Sequence, residues 1–224
     1  MIRCCIFDLD GTLLNTIFAL QKSMNLTLKE FGLGEISIPQ VKQYVGNGSV
    51  NFCRRALAYF GADPALLEPV SRRYAELFRE HCGYRVEPYP GMPEALRFLK
   101  ERGLALAVLS NKPQERTEDN IYGVFGRELF QEVRGEKPGV PLKPDPASLL
   151  ALIGDLGARP EECLYFGDTG TDMETGARAG ACTAGVLWGF RGREELLGFR
   201  PAAVLSDPSE IPGLYLEITG KEEP

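Results

Sequence analysis

The chain of 224 residues has one histidine, His81, and one tryptophan, Trp188, and none of its six cysteines sits in a C-x-x-C pair. That weighs against structural zinc, which needs four Cys or His ligands at short spacings. Cys4, Cys5, Cys53, Cys82, Cys163 and Cys182 read instead as small buried hydrophobes in a reducing compartment. No apolar run approaches the roughly 20 residues of a membrane span, and the N-terminus reaches Asp8 and Asp10 too soon to form a secretion-signal core. Positive charge is not in excess either. Twenty-five Lys and Arg face 31 Asp and Glu, a net charge of -6, which disfavours coating nucleic acid or an acidic membrane. The expectation is a cytoplasmic monomer or homodimer with no nucleic-acid or membrane partner.

What is present is a 44% apolar chain, long enough for one sizeable core with a small accessory domain. Ile2 to Phe7 is a short apolar run ending in Asp-Leu-Asp-Gly, as a buried strand stops at a loop. Leu104 to Leu109, Glu162 to Phe166 and Thr183 to Leu187 repeat the pattern. Helical stretches at Pro93 to Arg102, Pro146 to Leu156 and Met173 to Ala179, each closed by glycine, separate them. This alternation predicts a doubly wound parallel α/β sheet. Residues 16–87 differ, with amphipathic stretches at Phe18 to Phe31, Val50 to Phe60 and Pro64 to Cys82 and no convincing strand. They read as an inserted all-helical domain, leaving 1–15 and 88–224 as the α/β core domain. The tail Lys221 to Pro224 reads as disordered.

In doubly wound sheets ligands bind beyond the carboxyl ends of the strands. The polar residues there are Asp8 and Asp10, Ser110 and Asn111, then Asp168 with Asp172 close behind. Carboxylates two residues apart at a strand end can point to one side, and a third from another strand can join them in a hard-oxygen pocket suited to Mg²⁺. A cation there would let clustered carboxylates stay ionised together. Lys143, before Pro144-Asp145-Pro146, can add positive charge, while the Ser110 hydroxyl and backbone amides near Gly11 and Asn111 can bind phosphate oxygens. The set fits phosphoryl transfer. Gly46-Asn47-Gly48 reads either as a loop closing over substrate or as a turn between inserted helices. Neither His81 nor Trp188 is given a role.

Asp8-Leu-Asp-Gly-Thr12, Ser110-Asn111-Lys112, Lys143-Pro144 and Gly167-Asp168-Thr-Gly-Thr-Asp172 resemble, in order, the four motifs of the haloacid dehalogenase superfamily. The resemblance covers nearly the whole chain. Val45-Gly46-Asn47-Gly48, Tyr89-Pro90-Gly91, Ser110-Asn-Lys-Pro113, Lys143-Pro-Asp-Pro146 and Trp188-Gly189 are further similar to its phosphoglycolate phosphatase branch. The resemblance implies a Rossmann-like core with a helical cap, Asp8 as nucleophile, and Asp10 as general acid and then base. Ser110 and Lys143, with Gly11, Thr12 and Asn111, would bind phosphate. It further implies Mg²⁺ held by Asp8, Asp168 and the Asp10 backbone carbonyl, supported by Asp172. The activity implied is hydrolysis of a small phosphorylated metabolite, with 2-phosphoglycolate the leading substrate. A sugar-phosphate mutase and a phosphate-binding regulatory module without turnover are the alternatives. Asn15-Thr16 and Thr169-Gly170-Thr171 depart from the usual pattern.

Overall fold

The computed structural model describes residues 1–220, so the Lys221 to Pro224 tail lies outside the described residues. Strand β1 (Cys4–Phe7) occupies the middle of a six-stranded parallel sheet, between β4 (Ala105–Pro113) and β6 (Cys163–Gly167). Strand β5 (Glu132–Glu136) flanks β4, while β7 (Cys182–Val186) and β8 (Ala203–Leu205) extend the other side, giving the order β5-β4-β1-β6-β7-β8. The chain winds outward from β1 to β5 and then returns to β6, so the order reverses beside β1. A crevice for ligands opens at such a reversal.

Side-chain alternation explains the continuous apolar runs. Cys5, Phe7, Leu106, Val108, Leu164 and Phe166 enter one cluster, while Cys4, Ile6, Ala107, Leu109, Cys163 and Tyr165 enter another on the opposite face. Helix α5 (Met92–Glu101) covers the first face and α7 (Ala147–Asp155) the second. A parallel strand covered on both faces has no polar alternation to show. Phe7 and Phe166 stack across the strand pair, centroids 4.7 Å apart and 6° from parallel.

Two strands of this sheet have no counterpart in the sequence reading. β5 is an edge strand of sequence Glu-Val-Arg-Gly-Glu in which only Val133 is buried, and β8 has three residues. β4 also runs past Leu109 to Pro113, so Ser110, Asn111 and Lys112 belong to the strand. The polar helix α6 (Gln114–Phe125) follows it directly.

Helices α1 (Ile17–Glu30), α2 (Ile38–Tyr44), α3 (Ser49–Tyr59) and α4 (Leu67–His81) form a cluster of their own around Met24, Leu28, Phe52, Ala56, Val70 and Tyr74. The chain leaves the sheet through β2 (Leu14–Asn15) and returns through β3 (Glu87–Pro88), and the two pair antiparallel, Leu14 with Pro88 and Asn15 with Glu87. Asn15 accepts the Ile17 amide at 3.4 Å, so the unusual asparagine helps start α1. No described helix is long and apolar enough to cross a membrane.

Helix α8 (Gly170–Ala179) crosses β7 at Gly176, where a Cβ would fall inside the contact radius of the Thr183 methyl and 3.1 Å from Tyr165 Cδ1. Gly176→Ala is expected to destabilise the fold by about 1–3 kcal/mol. Gly213→Ala, in α10 (Ile211–Thr219) with nothing within 4 Å, should be neutral or stabilising by about 0.5–1 kcal/mol. Denaturant midpoints at unchanged slope would check both, and equal midpoints for the two variants would refute the packing argument.

Candidate active site

The carboxyl ends of β1, β4 and β6 meet around one buried ammonium. Lys143 Nζ lies 2.9 Å from Asp8 Oδ1, 2.7 Å from Asp172 Oδ1, 3.0 Å from the Leu109 carbonyl and 3.3 Å from the Tyr165 hydroxyl. Asn111 grips the Lys143 backbone from both sides. Its Nδ2 donates to the Lys143 carbonyl and its Oδ1 accepts the Lys143 amide, each at 2.9 Å. Asp8 is fixed by its own amide, which donates to the Phe166 carbonyl at 2.9 Å. The chain then folds back, with the Leu9 carbonyl accepting Thr12, Leu13 and Leu14 amides, and this turn brings Asp10 to the same cavity as Asp8.

Asp172 is held where α8 begins. Thr169 is the N-cap, its amide and hydroxyl reach Asp172 Oδ2 at 3.2 and 2.7 Å, and the Tyr165 hydroxyl donates to Oδ1 at 2.9 Å. The Thr169-Gly170-Thr171 departure is thus a capping box that aims an acid. At Gly170 a Cβ would meet Phe199 Cε2 at 2.6 Å, so that exposed ring would have to move to admit one. Asp168 sits deeper. Its oxygens accept the Thr12 hydroxyl at 3.4 Å and the Phe190 amide at 2.8 Å, and Gly11, at φ 92°, packs so close that a Cβ would lie 2.8 Å from Asp168 Cγ.

Asp8, Asp168 and Asp172 each place an oxygen within 4.8 Å of the others, all buried. Burial pushes the Asp8 carboxyl from its ordinary 3.8 up to about 7, with Asp172 and Asp10 adding to the rise and Lys143 opposing it. Burial, then the charges of Asp8 and Asp172, likewise lift Asp168 well above the usual range. Burial alone would lower Lys143, but Asp172 and Asp8 outweigh it and keep the ammonium charged. One lysine therefore contacts two of three crowded carboxyls. A small hard cation fits this donor set, since it would supply the missing positive charge and accept oxygen ligands. Asp8 and Asp168 are the better placed to hold it, because Asp172 already receives Lys143, Tyr165 and Thr169.

A cavity of about 70 Å³ opens onto Asp8, Asp10, Ser110, Asn111, Lys143, Asp172, Gly46 and Gly48. Four other expected residues stand behind it. The Gly11 amide donates to the Leu14 carbonyl at 3.0 Å, and Thr12 gives its hydroxyl to Asp168 and its carbonyl to Trp188 Nε1 at 2.9 Å. Both brace Asp168 where phosphate contact was expected. Asp168 is fully buried and is not part of the cavity wall, and Asn47 is tied to Thr171 Oγ1 at 3.1 Å and to Arg55 at 2.8 Å. Asp10 stands apart from the three clustered acids, its Oδ1 2.8 Å from Lys112 Nζ. Lys112, whose side chain is only 2% exposed, had no role in the sequence reading. Its spacing of two from Ser110 along a strand was the available signal. The helical side of the cavity, Leu20, Val45, Phe52, Tyr74 and Phe78, looks like ordinary helix core in sequence.

The segment after β7 joins the two halves. Phe190 lines the cavity while its amide holds Asp168; Arg191 binds the carbonyls of Lys42 and, at 2.9 Å, Val45; Lys42 Nζ returns to the Gly189 carbonyl at 3.1 Å.

A family model described as haloacid dehalogenase-like hydrolase matches residues 5–186. The chain belongs to the haloacid dehalogenase-like hydrolases. It is 36% identical over 218 residues to a phosphoglycolate phosphatase of Aquifex aeolicus, covering 93% of this chain and 94% of the relative. A Haemophilus influenzae phosphoglycolate phosphatase is 32% identical over 212 residues, covering 92% and 94%. Among solved structures, a predicted phosphoglycolate phosphatase from Haemophilus somnus superposes with a TM-score of 0.88 at 28% identity over 97% of this chain and 98% of that one. In this hydrolase, then, the expected parallel core is present, and all four quoted motifs converge on the Lys143 ammonium or the acids around it.

The crowded carboxyls give the metal-free hydrolase a definite pH response. The folded state keeps protons on Asp8 and Asp168 that the unfolded chain releases above about 3.8, so stability falls as pH rises from about 4 through about 7. A divalent cation bound by these acids would need them ionised, so any melting-temperature increment from Mg²⁺ should grow over that interval. Melting scans in chelator and in Mg²⁺ test this, and Asp8→Asn should flatten the metal-free decline. A chelated protein that becomes more stable from pH 5 to pH 7 as the Mg²⁺ increment shrinks would refute the charge argument.

Proposed function

We propose that this hydrolase is a Mg²⁺-dependent phosphatase of a small phosphomonoester, with 2-phosphoglycolate as substrate, working through a phosphoryl group carried on Asp8. One observation carries the reading: Asp8 and Asp10 come from a single turn, face one cavity, and contact different buried lysines, Lys143 at 2.9 Å and Lys112 at 2.8 Å. Equal side chains are thereby given unequal surroundings, as a nucleophile and an acid-base group require. The names of the relatives support the substrate, and the cavity's size supports a small one. One ordered water needs about 10–15 Å³ of such space, so about 70 Å³ suits a few-atom metabolite.

In the first displacement the Asp8 carboxylate attacks phosphorus in line with the ester oxygen. Lys143 and Ser110 hold phosphoryl oxygens, and Asp10 gives a proton to the departing alkoxide. In the second, Asp10 takes a proton from water, which attacks phospho-Asp8 and releases phosphate. Lys112 holds one Asp10 oxygen and leaves the other for these transfers. Asp8 and Asp168, supported by Asp172, would hold a cation, which when bound would supply the charge that lets a phosphate dianion approach a carboxylate. Helices α1 to α4 act as the cap that excludes bulk water, with residues 16–87 as its span. The six free cysteines support a cytoplasmic setting. A sugar-phosphate mutase would pass the phosphoryl group to a second hydroxyl, so release of inorganic phosphate separates the two.

Chelation is expected to abolish phosphate release and Mg²⁺ to restore it. Asp8→Asn should form no phosphoenzyme with any substrate. Asp10→Asn should lose about 10²–10⁴-fold in each step it assists. With an aryl phosphate, whose leaving group needs no proton, that variant should accumulate protein heavier by one phosphoryl group. Intact-mass measurement after acid quench reads this, and peptide mapping to a residue other than Asp8 would overturn the mechanism.

A further inference from the structure

The wall opposite Asp8 and Lys143 is framed by apolar side chains, and two polar features break it. The first is the start of α3, an 11-residue helix whose N-cap Gly48 has no side chain to offer and whose first turn carries no acid. Gly48 and Ser49 line the cavity, and the first helical bond runs from the Phe52 amide to the Gly48 carbonyl at 3.2 Å. The amides of Ser49, Val50 and Asn51 have no acceptor among the described residues. The second is Tyr74 of α4. Its ring is stacked on Phe78 at 5.5 Å and set edge-on to Phe52 at 5.6 Å, it is 2% exposed, and it lines the same cavity. Its hydroxyl has no hydrogen-bond partner among the described residues, although a buried phenol ordinarily finds one.

Both features donate. The helix amides can only donate and the phenol can donate as well as accept, so a group rich in acceptors, such as a carboxylate, satisfies both at once. Charge narrows the choice further. A helix start carries about half a positive charge, enough for a carboxylate; Lys143 is engaged by Asp8, and Lys112, 5.0 Å from the Phe78 ring that stacks on Tyr74, is paired with Asp10. Both lysines are already paired with acids, so a singly charged group suits this wall better than a second phosphate dianion.

We propose that the first turn of α3 and the Tyr74 hydroxyl form a carboxylate subsite, which selects small phosphorylated carboxylic acids over neutral phosphate esters of the same size. The proposal rests on the reading of this cavity as a phosphomonoesterase site.

The test compares kcat/KM for 2-phosphoglycolate with that for 2-hydroxyethyl phosphate, in which CH₂OH replaces the carboxylate, and for phospholactate with its alcohol counterpart. Wild type should favour the acid in both pairs by about 100-fold. Tyr74→Phe should lower that ratio about tenfold, and Ser49→Asp, which aims a carboxylate at the same amides, should lower it at least as far. Titration of the same esters into Asp8→Asn, with and without Tyr74→Phe, reads the ratio as affinities without turnover. Ratios that stay unchanged in both variants, or a wild type that favours the neutral esters, overturn the subsite. If phospholactate is favoured over its alcohol while 2-phosphoglycolate is refused, the subsite stands and 2-phosphoglycolate fails as substrate. If no ester is hydrolysed, the phosphatase reading fails, and the affinity ratios alone decide the subsite.

Discussion

The contact on which the rest depends is the Lys143 ammonium lodged between Asp8 and Asp172, with a side chain 3% exposed. A buried ion pair is seldom a net source of stability, because removing charges from water costs about as much as their attraction returns. Its value here is positional. The ammonium joins the end of β1, the Leu109 carbonyl of β4, Tyr165 of β6 and the first turn of α8, so one residue sets the spacing of elements far apart in sequence. Around it lies a shell of polar side chains with assigned partners. Asn111 fixes the lysine, Thr169 fixes Asp172, and Thr12 with the Phe190 amide fixes Asp168. Deleting the ammonium would leave three carboxyls within 4.8 Å of one another and no opposite charge to orient them.

The sequence showed the centre of the sheet and concealed its borders, for a physical reason. β1, β6 and the first half of β4 are covered on both faces, so their apolar runs are unbroken and easy to recognise. β5 and β8 lie at the edges, where water replaces one neighbour and the composition no longer distinguishes a strand from a loop. The site divides in a similar way. Asp8 follows the end of β1, Asp172 opens α8 and Ser110 lies in the last half of β4, so position aims them at the cavity, whereas Lys143 stands in the loop before α7 and is held there by Asn111. Gly11 and Thr12 share the same motif, yet the fold-back at Leu9 turns them behind it, which spacing along a strand does not encode. Tyr74 and Ser49 reach the cavity only through the packing of α3 against α4, and their neighbours in sequence are ordinary amphipathic helix.

Asp168 shows why motif membership and accessibility are different properties. It has no exposed surface, and Gly11 and Gly189 press against it closely enough that neither position has room for a Cβ. Glycine is needed at these two places for the approach of backbone to a carboxylate. The acid is thereby kept in one orientation by steric enclosure and two hydrogen bonds. Such rigidity favours chemistry that cannot tolerate a wandering ligand atom.

The β2–β3 ribbon has a consequence for the ancestry of the molecule. For the sheet, everything from Thr16 to Val86 is the loop of a hairpin, because the chain departs and comes back as a hydrogen-bonded pair at Leu14–Pro88 and Asn15–Glu87. The entropy of closing so long a loop grows only with the logarithm of its length, and the helices fold around their own apolar cluster. Lengthening, shortening or replacing them therefore asks almost nothing of the strands that carry the acids. Genetic drift can work on what stands over the cavity while the floor of the cavity is inherited unchanged.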